Sequence, residues 1–91
     1  MFGFADAFNQ PIGNWNVSNV VDMQRMFLCS KSFNQPIENW DISKVDNMAN
    51  MFWKAASFNR DLSNWDLNKV KNKDKIFCYC SIKKIYMPKN I

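Results

Sequence analysis

Asp41 and Asp66 are the carboxylates whose spacing could do chemistry. They stand 25 residues apart, each inside a copy of the motif N-W-D-[I/L]. If the copies stack as paired strands do, the two carboxyls lie about 5 Å apart. That is near the separation used by retaining glycosidases. A general acid in such a pair needs apolar surroundings to keep its proton. The residue between Trp40 and Ile42 points away from a core, and the matching residue of an earlier copy is Asn16. The pair therefore reads as surface, and the chain as non-enzymatic. The sequence has no histidine, which removes Ser-His-Asp and Cys-His sites. Gly3 and Gly13 are its only glycines, too few and too far apart for a phosphate-cradling loop. Cys29, Cys78 and Cys80 cannot close a four-ligand zinc site without histidine. Their odd number and irregular spacing do not make a disulfide framework. No cofactor and no metal are expected.

Charge is divided unevenly. Residues 1–68 carry a net charge of −2, and residues 69–91 carry +6. Lys69, Lys71, Lys73, Lys75, Lys83 and Lys84 could meet phosphates, with Tyr79 and Tyr86 among them. Nucleic-acid binding also needs a patterned platform. A solvated basic end is the preferred reading of such a run.

The elements that would position these groups come from a repeat. FNQPIGNWNVSNVVDM, from Phe8, returns as FNQPIENWDISKVDNM from Phe33 and as FNRDLSNWDLNKVKNK from Phe58. The offset is 25 residues with no insertion. Phe8, Phe33 and Phe58 align, as do Trp15, Trp40 and Trp65, and Ile12, Ile37 and Leu62. Phe2, Phe27, Phe52 and Phe77 form another column, and Met1 falls in phase with Met26. Residues 1–76 divide into units 2–26, 27–51 and 52–76, followed by a degenerate half-turn or basic tail, 77–91. A gapless period of this length marks turns that stack, because no copy can bury its apolar face alone.

Within a unit, Trp15 and Val17 have strand spacing, whereas Val20, Met23, Met26 and Phe27 have helical spacing. Ser18, Ser43 and Asn68 stand where helix N-caps belong. The expected fold is an α/β, leucine-rich-repeat-like solenoid of three 25-residue strand–helix turns. Its short parallel sheet would run through 15–17, 40–42 and 65–67. The Asn columns 9/34/59 and 14/39/64 should bond the backbone of neighbouring turns, because buried turns need their polar groups satisfied.

The same alternation turns a polar strip outward: Asn14, Asn16 and Ser18, then Asn39, Asp41 and Ser43, then Asn64, Asp66 and Asn68. Extended faces of this kind bind partners in repeat proteins. Amides, hydroxyls and carboxylates suit a host or self protein, or a glycan. Apolar ends of the stack would also favour end-to-end self-association.

The skeleton I12-x-x-W15-x-V17-x-x-V20 has leucine-rich-repeat spacing. With the M-F dyad, F-N-Q-P-[I/L] and N-W-[N/D]-[V/I]-S, it resembles the 25-residue repeats of bacterial surface proteins. These are the mycoplasma lipoproteins and related antigens, similar to BspA-type leucine-rich repeats. The resemblance covers residues 1 to about 77. It implies a surface or secreted protein engaged in adhesion. The third unit departs from the pattern at Asp61 and Lys73. No apolar run approaches the roughly 20 residues of a membrane span. The start MFGFADAFNQ is not a secretory signal, which leaves a cytoplasmic scaffold or a truncated repeat remnant as the alternative.

Overall fold

The computed structural model describes residues 3–91. Met1 and Phe2, which the repeat would include, lie outside the described residues.

The strand–helix architecture is overturned. The one helical segment among the described residues is a short 3-10 turn, Lys84–Tyr86. Extended pairing is limited to isolated parallel bridges, Asp22 with Asn47, Asn47 with Asn72, and Asp66 with Lys89. No sheet runs through 15–17, 40–42 or 65–67, and Ser18, Ser43 and Asn68 cap no helix. The leucine-rich-repeat likeness therefore does not extend to the fold.

Each copy is instead a succession of β-turns. In the first, Trp15 N–H bonds Ile12 O at 3.0 Å, Val20 N–H bonds Val17 O at 3.0 Å, and Met26 N–H bonds Met23 O at 3.3 Å. Leu28 to Arg25 and Ser30 to Phe27 close two more turns, at 3.2 and 3.1 Å. The same bonds recur 25 and 50 residues later, down to Cys80 on Phe77. Arg25, Asn50 and Lys75 have φ of 58°, 57° and 54°, and Cys29, Lys54 and Tyr79 have 55°, 57° and 60°. Each is the third residue of its turn, where type II geometry needs positive φ. None is glycine, and the left-handed conformation costs an L-residue about 1–2 kcal/mol.

The amides between Met23 and Ser30 explain why this is not a helix. Met23, Arg25, Phe27 and Cys29 donate across to Asn47, Ala49, Met51 and Trp53 at 2.8–2.9 Å. Met26, Leu28 and Ser30 close turns inside their own copy. Every second amide thus reaches the next copy, and the pattern repeats from Met48, Asn50, Phe52 and Lys54 to Asn72, Asp74, Ile76 and Cys78. A helix would have spent these amides on its own carbonyls. A helix this short is also marginal by itself.

The turns aim Met23, Met26 and Phe27 inward, each buried. Phe27, Phe52 and Phe77 stack at 5.3 and 5.4 Å between ring centroids. Phe8, Phe33 and Phe58 stack beside them at 5.8 Å. Cross-column pairs are closer, 4.1 Å for Phe27–Phe33 and 4.3 Å for Phe52–Phe58. Residues 81–91 lie against the third copy: Lys83 N–H bonds Asn59 Oδ1 at 2.9 Å, and Leu62 N–H bonds Tyr86 O at 2.8 Å. Ile82 is buried there. No helix among the described residues is long and apolar enough to cross a membrane.

At Gly13 the first copy approaches the backbone of the second closely. A Cβ there would stand 2.4 Å from the Pro36 carbonyl oxygen, a backbone atom that cannot simply rotate away. Gly13→Ala is expected to cost about 1–2 kcal/mol through forced backbone displacement. Urea denaturation checks it against Gly3→Ala, whose added Cβ meets nothing closer than 3.3 Å.

Candidate functional site

The polar strip is exposed except at Ser18, which is half-buried. Its columns do different jobs. Asn16 Oδ1 accepts from Ser18 N at 3.1 Å and from Ser18 Oγ at 2.7 Å. Asp41 Oδ1 accepts from Ser43 N at 3.0 Å, and Asp66 Oδ1 from Asn68 N at 2.9 Å. These are Asx turns, in which a short side chain holds the backbone two residues on. The middle column is therefore engaged in shaping its own loop. Ser18, Ser43 and Asn68 are the backbone donors of those turns.

Asn14, Asn39 and Asn64 differ. They are exposed and make no side-chain hydrogen bond among the described residues. The bonding expected of them belongs to other columns. Asn9 Oδ1 accepts from Asn34 N at 2.9 Å, and Asn34 Oδ1 from Asn59 N at 3.0 Å. Asn59 Oδ1 passes the same bond to Lys83 N. A further Asx column, Asp22, Asn47 and Asn72, accepts from Gln24, Ala49 and Asp74 at 2.9–3.2 Å. The sequence reading missed it, although an Asx stands at that position in every copy.

Asn14 and Asn39 line one groove of about 530 Å³ with Gly13, Trp15, Pro36 and Glu38. Trp15 is 43% exposed, whereas Trp40 and Trp65 beneath it are buried. Behind Trp15 lies a second, apolar hollow of about 490 Å³ floored by Val17, Val20, Met23 and Met26. Asp66, Asn68 and Ser43 border a smaller hollow of about 210 Å³ with Lys69. The strip residues thus form separate surfaces along the stack. Trp15 and Glu38 are groove residues that the repeat logic concealed. Trp15 shares its column with two buried tryptophans and so reads as core, yet it is exposed.

The carboxyl pair has neither partner as a proton-holding acid. Hydrogen bonds from Ser43 hold Asp41 below the usual carboxylate range. The Asn90 amide, 2.6 Å away, does the same for Asp66, aided by Asn68 N–H and by the charges of Lys89 and Lys73. A folded pKa below the unfolded value contributes stability above about pH 4 and loses it as pH falls through the folded pKa. Residues 89–91 should therefore loosen on acidification below pH 4. Amide exchange at Lys89, whose N–H bonds Trp65 O at 2.8 Å, reads this directly. Asp66→Asn should remove the acid-dependent step.

The three cysteines are free and half-buried. Burial pushes the Cys80 thiol up, away from the reactive thiolate.

No curated protein and no solved structure matches this chain. A family profile described as "Mycoplasma protein of unknown function, DUF285" matches residues 1–87. The stacked copies and most of the segment that follows them fall within the match, and the chain belongs to this family.

Proposed function

We propose that this chain is a non-enzymatic binding module of a bacterial surface protein, and that it takes a glycan in the groove between its first two copies. The observation that carries this reading is the groove itself. It combines an exposed indole, Trp15, with the amides of Asn14 and Asn39 and the carboxylate of Glu38. A sugar ring offers an apolar face to stack on an aromatic ring and hydroxyls that pair with amides and carboxylates. Such a site needs few groups if they converge in one concave surface. The lowered pKa of Asp41 and Asp66 supports the non-enzymatic part, because glycoside hydrolysis needs one carboxyl raised. Membership of a Mycoplasma repeat family supports placement at the cell surface.

A glycan array probed with the purified chain tests the groove. Trp15→Ala and Asn39→Ala should each abolish the signal while circular dichroism stays unchanged. Retention of binding by both variants would reject the site. Protease shaving of intact cells tests placement. Release of the Phe33–Met51 segment only after lysis would reject it.

A further inference from the structure

The six-residue turn runs 24–29, 49–54 and 74–79 stack into one edge of the molecule. Their positive-φ positions Cys29, Lys54 and Tyr79 align with Phe4, which is held there by its N–H on Leu28 O at 2.7 Å. The two ends of this line are aromatic and open: Phe4 is 71% exposed and Tyr79 is 74% exposed. Half-buried Leu28 and Trp53 lie alongside. The Lys54 ammonium stands 4.6 Å from the Trp53 ring centroid and 5.9 Å from that of Tyr79. Arg25 and Lys75, both exposed, occupy the other positive-φ column of the same runs. Asp74 is the only acid in them.

We propose that this edge is a peripheral docking surface for an anionic phospholipid bilayer. Its charge is complementary to such a surface, with three cations against one acid. Aromatic rings with basic neighbours settle at the boundary between headgroups and acyl chains, where one end of the side chain is apolar and the other wet. Because the tips belong to hydrogen-bonded turns, their backbone is already ordered, which lowers the cost of docking. A single nucleic-acid strand fits the edge less well. Phe4 and Tyr79 are three stacking steps apart, about 14 Å, whereas stacked bases advance about 3.4 Å each. The proposal is independent of the glycan groove, which lies on other residues.

The test is co-sedimentation of the full chain with vesicles of phosphatidylcholine alone and of phosphatidylcholine with phosphatidylglycerol. Binding is expected only to the anionic vesicles, and it should weaken with salt. The double variant Phe4→Ser, Tyr79→Ser should lose at least about tenfold in partitioning, the scale set by withdrawing buried aromatic area. Both residues are exposed, so thermal unfolding should be unchanged. Lys54→Gln with Lys75→Gln should reduce binding and flatten its salt dependence. Failure of the full chain to bind anionic vesicles would overturn the proposal. So would binding that survives both double variants but is lost on Lys83→Gln, Lys84→Gln and Lys89→Gln together, which would mark nonspecific attraction to the basic tail. Retention of single-stranded DNA in preference to vesicles would also overturn it.

Discussion

Phe52→Ala is expected to leave the chain largely unfolded at moderate temperature. The Phe52 ring is fully buried, with Phe27 at 5.3 Å, Phe58 at 4.3 Å and Phe77 at 5.4 Å. It therefore sits in the middle of its own column and is the bridge to the neighbouring one. Truncating a buried phenylalanine costs about 3–5 kcal/mol, from lost transfer energy and from the cavity left behind. Domains of this size hold only about 5–15 kcal/mol in total and tend to the lower end. The stack gives the cavity little room to collapse, because each copy is tied to the next through the amides on both sides of the ring, Asn50 and Lys54. Phe77→Ala should cost less, since Phe77 ends the column and is 9% exposed. Phe4→Ala, at an exposed tip, should fall within about 0.5 kcal/mol of the parent. Urea midpoints at constant slope measure all three. If Phe52→Ala and Phe4→Ala unfold at the same midpoint, the aromatic columns do not hold the stack.

The period was legible because a residue type kept at one position in every copy has only itself to pack on. Phe8/33/58 and Phe27/52/77 state the stacking before any coordinate is known. The Asn9/34/59 ladder was legible for a similar reason, since a buried turn needs an acceptor and a short amide can reach the next copy. The path of the chain within a copy was not legible. Apolar residues at Val20, Met23, Met26 and Phe27 fit one face of a helix, and they fit overlapping turns that advance two or three residues at a time equally well. Glycine would have marked the turns, but Arg25, Cys29, Asn50, Lys54, Lys75 and Tyr79 hold the left-handed positions instead. Asn14 and Asn16 could not be separated by type. Only the backbone decides that Asn16 closes an Asx turn while Asn14 faces a groove. The tryptophan column is not uniform either. Trp40 Nε1 donates to Ile12 O at 3.1 Å, whereas the buried Trp65 Nε1 has no hydrogen-bond partner among the described residues, and nothing in the structure explains that difference.

Asn34→Ala should break the polar seam that runs beside the aromatic columns. Asn34 is bonded through three groups at once. Its N–H donates to Asn9 Oδ1, its Oδ1 accepts from Asn59 N, and its carbonyl accepts from Arg60 Nε and Nη2 at 3.1 and 2.9 Å. Alanine keeps the backbone groups and deletes only Oδ1. The Asn59 N–H then loses its acceptor at a half-buried site where water replaces it poorly, at a cost of about 1–3 kcal/mol. Asn34→Asp retains an acceptor oxygen in place and should recover most of the loss. Asn9→Ala should cost less than Asn34→Ala, because the two bonds it deletes, from Asn34 N and Gln35 Nε2, are exposed and water can take their place. Amide exchange at Asn59 separates this account from general destabilisation. Exchange should accelerate in Asn34→Ala beyond the change at Phe52, whose N–H is committed to Ile76 O, and should stay near the parent rate in Asn34→Asp. Equal acceleration at both amides would mean that Asn34 acts through the whole fold and that the seam carries no separate share of the stacking. Acceleration confined to Asn59 would make the ladder a second fastening, able to open while the turn ribbons and the aromatic columns stay closed.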